Sequence, residues 1–260
     1  MALTAQQLGQ FHEQGYIHIP NFVDPQTTLR LQEQIEGLHE KMVQDKPDEV
    51  GVTWEALAPE KPRRIRQLMN SELVSPMLDE ISRSSFLLDI IEQLIGSDIY
   101  LFHSKLLMKA AGDGSMTPWH QDYGYWHRHT LNPTQMNCQL AIDRADEENG
   151  ALRFSPSSHK QGQVEHEFDP DAAGFNIGIK GDIDSFENDM IIMQPGDAVF
   201  FGPYVLHASA ANSSTRDRRA NTFAFDLPDN NLGKQLSERM WRRGRKADPA
   251  VRHEKTFASN

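Results

Sequence analysis

His120 and Asp122, in TPWHQDYGYW, stand two residues apart, and a far-downstream His207 can join them in a two-histidine, one-carboxylate set. Two neutral imidazoles and a carboxylate on one side of an octahedral ion leave three positions for other ligands, the pattern of non-haem iron(II). A bidentate 2-oxo acid and dioxygen would fill those positions, so the protein ligands and the open side make one chemical statement. In an extended segment residues i and i+2 point the same way, which lets His120 and Asp122 reach a common ion while Gln121 faces elsewhere. An H-x-D tripeptide carries little weight alone, because a structural or surface pair has the same spelling. Zinc on two histidines and an acid, as in a hydrolase, is the competing chemistry.

The second half of the set lies in QPGDAVFFGPYVLHASAANSSTRDRRANTFAF, where His207 follows an apolar, β-rich run and Arg218 comes eleven residues later. Four stretches, in order, resemble the phytanoyl-CoA dioxygenase family of iron(II)/2-oxoglutarate oxygenases. They are WHQD at 119–122, ENGALRFSPSSH at 148–159, QPGDAVFF at 194–201 and H-x-S-x-x-N-x-S-x-x-x-R-R at 207–219. FHEQGYIHIPNFV near the start is similar to the family as well. The resemblance implies that His120, Asp122 and His207 ligate iron(II), that 2-oxoglutarate and dioxygen are cosubstrates, and that Arg218 clamps the distal carboxylate of 2-oxoglutarate. It implies hydroxylation of a C–H bond with release of succinate and carbon dioxide; related halogenases lack the carboxylate that Asp122 supplies here.

The residues themselves agree on Arg218, since a planar guanidinium grips a carboxylate through two parallel hydrogen bonds that an ammonium cannot copy. Arg216 and Arg219 are nearby decoys. If Arg218 shares a strand face with Ala220, Thr222 and Ala224, alternation sends Arg219 to the other face, and Arg216 falls in the turn. Ser209 shares a face with His207 and can add a hydroxyl to the same carboxylate. In the ectoine-hydroxylase branch of the family a polar side chain before the H-x-D and an aromatic after it approach 2-oxoglutarate; the matching positions are His103, where that branch has an amide, and Trp126. Asn137 and Gln139 alternate with Cys138, Leu140 and Ile142, and an inward polar face there would line a cavity, with Asn137 a cosubstrate contact. Tyr123, Tyr125 and His127, close behind the H-x-D, and Phe225 on the last strand are the candidate substrate contacts. His159 and His166 read as structural.

These residues need a scaffold that brings positions far apart in the chain together. IYLFHSKLLM, MNCQLAID, ALRFSP, MIIMQ, DAVFFG, VLHAS and NTFAFDL read as strands separated by Gly, Pro, Asn and Asp turns. The fold expected is mainly β with flanking helices, a double-stranded β-helix of the jelly-roll, cupin-like kind, and the resemblance implies the same. Thr4 with Gln7 forms a capping box for a first helix ended by Gly15, and Tyr16 to Pro20 is a short strand. Asp24-Pro25 opens a helix striped by Leu31, Ile35, Leu38 and Met42, and Ser85 and Gly96 bracket another. Residues 45–70, with Arg63, Arg64 and Arg66, read as a polar loop. The stretches 123–134 and 161–189 read as long functional loops, and the basic RMWRRGRK at 239–246 as an exposed helix. No linker stands out, so the expectation is one oxygenase domain over 1–260: a helical part to about 97, the jelly roll at about 98–228 and a tail at 229–260.

Net charge of −11 argues against nonspecific nucleic-acid binding, which draws on basic surface. No apolar run approaches the roughly 18 to 20 residues that a membrane span needs. MALTAQQLGQ lacks the layout of a signal peptide, and Cys138, the single cysteine, excludes an internal disulfide, so a cytoplasmic enzyme acting on a small-molecule substrate is expected. Composition does not address oligomeric state. A silent jelly-roll binding protein would keep this fold and lose ligands, yet all three are present; a partner-binding module finds support only in the basic tail. The motifs belong to the iron and cosubstrate site and leave the substrate open, with WHQDYGYWH tilting towards a small polar or amino-acid-like metabolite over a coenzyme A ester.

Overall fold

A computed structural model describes residues 2–56, 60–168, 177–180, 187–233 and 236–244. Its helices are α1 (Ala5–Gln14), α2 (Pro25–Glu36), α3 (Leu38–Gln44), α4 (Pro76–Arg83), α5 (Ser85–Ile95) and the single turn α6 (Tyr123–Trp126). Its strands are β1 (Tyr16–Ile19), β2 (Val52–Trp54), β3 (Ile65–Met69), β4 (Tyr100–Lys109), β5 (Thr117–His120), β6 (Met136–Ala141), β7 (Leu152–Phe154), β8 (His166–Phe168), β9 (Ile177–Ile179), β10 (Asp189–Met190), β11 (Ala198–Phe201), β12 (His207–Ser209) and β13 (Arg218–Asp226). The major sheet runs β1-β11-β6-β13-β4-β3-β2 and the minor sheet β10-β7-β12-β5, with β8 and β9 forming a separate hairpin. All the pairs are antiparallel. The fold is the jelly roll expected from the spacing of the strands.

Strand alternation divides the major sheet into a dry and a wet face. Leu106, Cys138, Leu140, Phe200, Phe223 and Phe225 are wholly or almost wholly buried and pack with Leu31, Ile35, Leu87 and Ile91 of the helices. The intervening residues, among them Asn137, Gln139, Arg218 and Thr222, are buried on the other face, towards the minor sheet. The polar side of β6 therefore points inward, as a cavity lining.

The helix ends follow local chemistry. Thr4 and Gln7 make the reciprocal capping box on α1, and Gly15 closes it at φ 87°, a conformation that favours a residue without Cβ. Asp24 caps α2 with Pro25 in its first turn. The apolar stripe from Leu31 to Met42 is not one helix: the chain breaks at Gly37 into α2 and α3.

Three expectations are corrected. Residues 45–70 are not only a loop, because Val52–Trp54 pairs with Ile65–Met69 and Ile65–Met69 with β4, so the N-terminal part contributes β1, β2 and β3 to the major sheet. The 123–134 stretch contains the turn α6. The basic tail, of which 245–260 lie outside the described residues, is not an exposed helix over 239–244. Glu238–Met240 is a 3-10 turn, Trp241 bridges to Tyr100, and Arg242 is buried, donating to Ser82 Oγ at 2.9 Å and to the Arg239 carbonyl. Arg243 pairs with Asp89 at 2.8 Å and Glu92 at 2.6 Å. These arginines tie the tail to α4 and α5.

Candidate active site

Register brings the two histidines together. Antiparallel pairing of β12 with β5 sets His207 opposite His120, with a bulge before Ser209, and the two rings lie 4.2 Å apart between centroids. Asp122 arrives by a different route from the one strand parity suggested. β5 ends at His120, and Asp122 has helical angles (φ −58°, ψ −30°) at the start of α6, where Tyr123 N–H donates to the Pro203 carbonyl at 3.1 Å. Its carboxylate lies 3.7 Å from His120 Nε2 and 3.9 Å from His207 Nε2. All three candidate ligand atoms fall within 4.8 Å of one another, and all three side chains are buried.

The second contacts of these groups set them up as metal ligands. His120 Nδ1 lies 2.8 Å from the Pro118 carbonyl and His207 Nδ1 3.1 Å from the Val205 carbonyl. A carbonyl only accepts, so each Nδ1 carries the proton and each Nε2 lone pair is left for an ion. Burial, reinforced by His120, pushes His207 down to about 4, so its ring is neutral at pH 7. Burial alone would raise the Asp122 carboxyl, but His120, His207 and Lys105 outweigh it and hold it far below the ordinary carboxylate range. Asn137 Nδ2 donates to Asp122 Oδ2 at 2.8 Å. Two neutral imidazoles and an ionised, oriented carboxylate fit iron(II).

Gln121, the middle residue of the tripeptide, is fully buried and faces away. It donates to the Gly162 and Tyr204 carbonyls at 2.7 Å each and accepts from Val164 N–H at 2.9 Å. His166 accepts the Gln121 backbone N–H at 3.0 Å and His159 contacts the His12 carbonyl, so both are structural as expected. The 161–189 stretch is not only a loop, because His166–Phe168 and Ile177–Ile179 pair as the β8–β9 hairpin; its residues 169–176 and 181–186 lie outside the described residues.

A cavity between the sheets is lined by the ligand set together with Ser209 and Arg218. Arg218 is buried and donates to the Gly150 carbonyl at 2.8 Å, while its Nε is buried with no partner. Burial pulls it down to about 10, with Asp143 opposing, and no carboxylate of the described residues lies within ion-pair distance of it. The decoys are engaged elsewhere: Arg216 is exposed and pairs with Asp146 at 2.9 Å, and Arg219 pairs with Asp143 at 2.8 Å and Glu36 at 2.7 Å. Gly150 explains part of the ENGALRFSPSSH stretch, since its φ is +77° and a Cβ there would run into the Ala210 carbonyl.

The softer candidates divide. His103 Nε2 is buried without a partner, and burial, together with Lys105, holds this ring well below its ordinary pKa. The ring stands 5.6 Å from Trp126, which is buried. Tyr125 packs edge-on to His120 at 5.9 Å, and Tyr123 to Tyr204 at 5.1 Å. His127 is exposed, its Nδ1 turned back to the Tyr123 carbonyl, and the structure does not bring it to the cavity. Phe225 is corrected too: alternation from Arg218 puts it on the dry face, in the core against the helices. The lysines of HSKLLMK were missed by the sequence reading. Lys105 and Lys109 line the cavity with Arg66, and their alternation with Leu106 and Met108 was the available signal.

Comparison with known proteins places this geometry in a family. The family model for phytanoyl-CoA dioxygenase matches residues 11–220. L-proline trans-4-hydroxylase of Streptomyces griseoviridis is 25% identical over 80% of this chain and 81% of its own length. Methylphosphonate hydroxylase of Gimesia maris is 26% identical over 84% and 78% respectively. EctD from S. alaskensis, in a crystal structure with 2-oxoglutarate and 5-hydroxyectoine, shares the fold at a TM-score of 0.73 and 19% identity, over 96% of this chain and 86% of that one. The chain belongs to the phytanoyl-CoA dioxygenase family, and its activity class is that of an iron(II)- and 2-oxoglutarate-dependent dioxygenase.

Proposed function

We propose that this enzyme binds iron(II) through His120, Asp122 and His207 and 2-oxoglutarate through Arg218 and Ser209, and hydroxylates a C–H bond of a small polar metabolite. The observation that carries the reading is the union of three buried ligand atoms within 4.8 Å with a buried, carboxylate-free arginine in the same cavity. When bound, iron(II) supplies the activation of dioxygen, coupled to conversion of 2-oxoglutarate to succinate and carbon dioxide. The chain's own part is positioning. The Pro118 and Val205 carbonyls fix both imidazoles as Nδ1–H tautomers, and Asn137 holds the Asp122 carboxylate, so Asn137 acts through Asp122. The Gly150 carbonyl aims the Arg218 guanidinium. Tyr125 and Trp126 wall the site and exclude water beside His120 and His103, with Tyr123 behind them.

A zinc hydrolase leaves Arg218 without a use, and a silent binding protein has no need of a complete ligand set. The small polar substrate is in keeping with relatives that hydroxylate proline and methylphosphonate, as their names state. We read the chain as one oxygenase domain and place it in the cytoplasm, in keeping with the buried free thiol of Cys138. No described helix is long and apolar enough to cross a membrane. The test is a screen of small-molecule metabolite pools with iron(II), 2-oxoglutarate and oxygen. The expected result is succinate formed in step with a product heavier by one oxygen atom, and no succinate above the metal-free control would refute the reading.

A further inference from the structure

Four basic side chains line the cavity, Arg66, Lys105, Lys109 and Arg218, and among its described lining residues Asp122 is the one carboxylate. Arg66 lies 4.0 Å from Glu55 and donates to the Met116 carbonyl at 2.8 Å. Lys109 donates to the Ser115 and Ala210 carbonyls at 2.6 Å each, and burial beside Arg218 pushes it down to about 6. Arg218 is taken by the cosubstrate's distal carboxylate in the reading above. Lys105 is different: among the described residues its ammonium has neither a carboxylate within ion-pair distance nor a hydrogen-bond acceptor.

Its place in the sheet separates it from the cosubstrate clamp. Lys109 pairs with Arg218 and Lys105 with Thr222, four residues along the same two strands, or about 13 Å at the usual rise of a strand. Lys105 therefore stands towards the Asp122 end, with its Nζ 5.9 Å from the Trp126 ring. Two further polar atoms lie at this end, buried and without partners: His103 Nε2, two residues from Lys105 on the same strand face, and Asn137 Oδ1. The formal charges of iron(II), Asp122, the two carboxylates of 2-oxoglutarate and Arg218 sum to zero. Lys105, partly buried and with its pKa lowered by burial against the pull of Asp122, then remains a cavity cation without an acceptor among the described residues, and an anion placed beside it would supply that partner and favour its charged form.

We propose that Lys105 docks an oxyanion of the substrate, which makes the preferred substrate a small metabolite with a carboxylate, phosphonate or phosphinate group near the carbon that is oxidised. The His103 ring and the Asn137 carbonyl oxygen then meet the substrate's remaining polar atoms, and Trp126 forms the wall beside them. This inference rests on the iron and 2-oxoglutarate reading and adds the substrate class to it.

The test uses the full chain loaded with iron(II) and 2-oxoglutarate without oxygen, titrated with methylphosphonate and with L-proline. Each probe is paired with a counterpart that lacks the anionic charge, dimethyl methylphosphonate and L-prolinamide. Binding is read from the visible band of the iron–2-oxoglutarate complex and from the melting temperature. At least one anion should bind while its counterpart does not, and which of the two binds separates a phosphonate from a carboxylate preference. Lys105→Met should weaken that anion at least about tenfold while leaving the 2-oxoglutarate Kd within about twofold, and Lys105→Arg, which keeps the charge, should stay within about fivefold of wild type. Circular dichroism checks that both variants fold. The proposal is overturned if Lys105→Met weakens 2-oxoglutarate as much as the probe, if the uncharged counterparts bind as well as the anions, or if neither anion registers on wild type that forms the complex. Failure of wild type to form that complex would bring down the underlying reading, and this one with it.

Discussion

The sharpest contrast between neighbouring residues is at Arg216, Arg218 and Arg219. One guanidinium is exposed on acidic partners, one is paired on the helix-backed face of the sheet, and one is buried in the cavity with its Nε unmet. Arg218→Lys should weaken 2-oxoglutarate binding by roughly 1.5 to 3 kcal/mol, the worth of charge-assisted hydrogen bonds lost when a fork becomes a point charge. Arg216→Lys and Arg219→Lys should change it far less, as read by cosubstrate titration of iron-loaded protein without oxygen; a larger loss at either decoy would contradict the assignment. Asn137→Ala removes the donor on Asp122 Oδ2 and should lower iron(II) affinity by about 10- to 100-fold, the usual effect of deleting a partner of a metal ligand. A competition titration against a chelator measures it, and unchanged affinity would mean that Asp122 is held by its backbone alone. Much of this was legible beforehand, because residue type and period-2 alternation placed Ser209 on the face of His207 and set Arg218 on the opposite face of its strand from Arg219. Lys105 was not, since its meaning depends on which acids lie near it in space and the sequence does not list them.

Elements turn these residues into a site through a few junctions. Gln121 links the β5–α6 corner to the Gly162–Val164 and Tyr204 segments with three hydrogen bonds. Gln121→Leu leaves two carbonyls and one N–H unmet, and should cost about 2 to 4 kcal/mol in denaturant unfolding. It should also speed amide exchange over residues 161–168 more than over β4, and equal acceleration in both would refute a local junction. Long strands and capped helices were readable because their signals are local: a capping box at Thr4, Pro25 in a first turn, alternation along β4 and β13. Short strands were not. Ile65–Met69 becomes a strand by pairing with β4, a partner tens of residues away, and Val52–Trp54 by pairing in turn with β3, and nothing in their own polar surroundings announces it. The same holds for Arg242, whose burial depends on Ser82 and the Arg239 carbonyl meeting its donors.

At the scale of the molecule, a helix-backed sheet faces a smaller one, and the buried charges between them make stability respond to pH. Burial and His120 hold His207 at about 4 when folded, below the ordinary 6.5, so the unfolded chain binds the extra proton between those values. In metal-free protein this contribution is complete above pH 6.5 and is lost as pH falls through about 4, a change of ~3 kcal/mol. The stability difference between wild type and His207→Gln, from denaturant melts at pH 7 and pH 4, should shrink accordingly, and a pH-independent difference would show that His207 titrates normally. The most direct test of the central claim is an oxygen-free titration of iron(II)-loaded protein with 2-oxoglutarate, followed by visible absorption. Wild type should develop a weak charge-transfer band that saturates at one equivalent of cosubstrate, and His207→Ala and Asp122→Ala should not. A wild type without the band, or a band undiminished in both variants, would contradict the account.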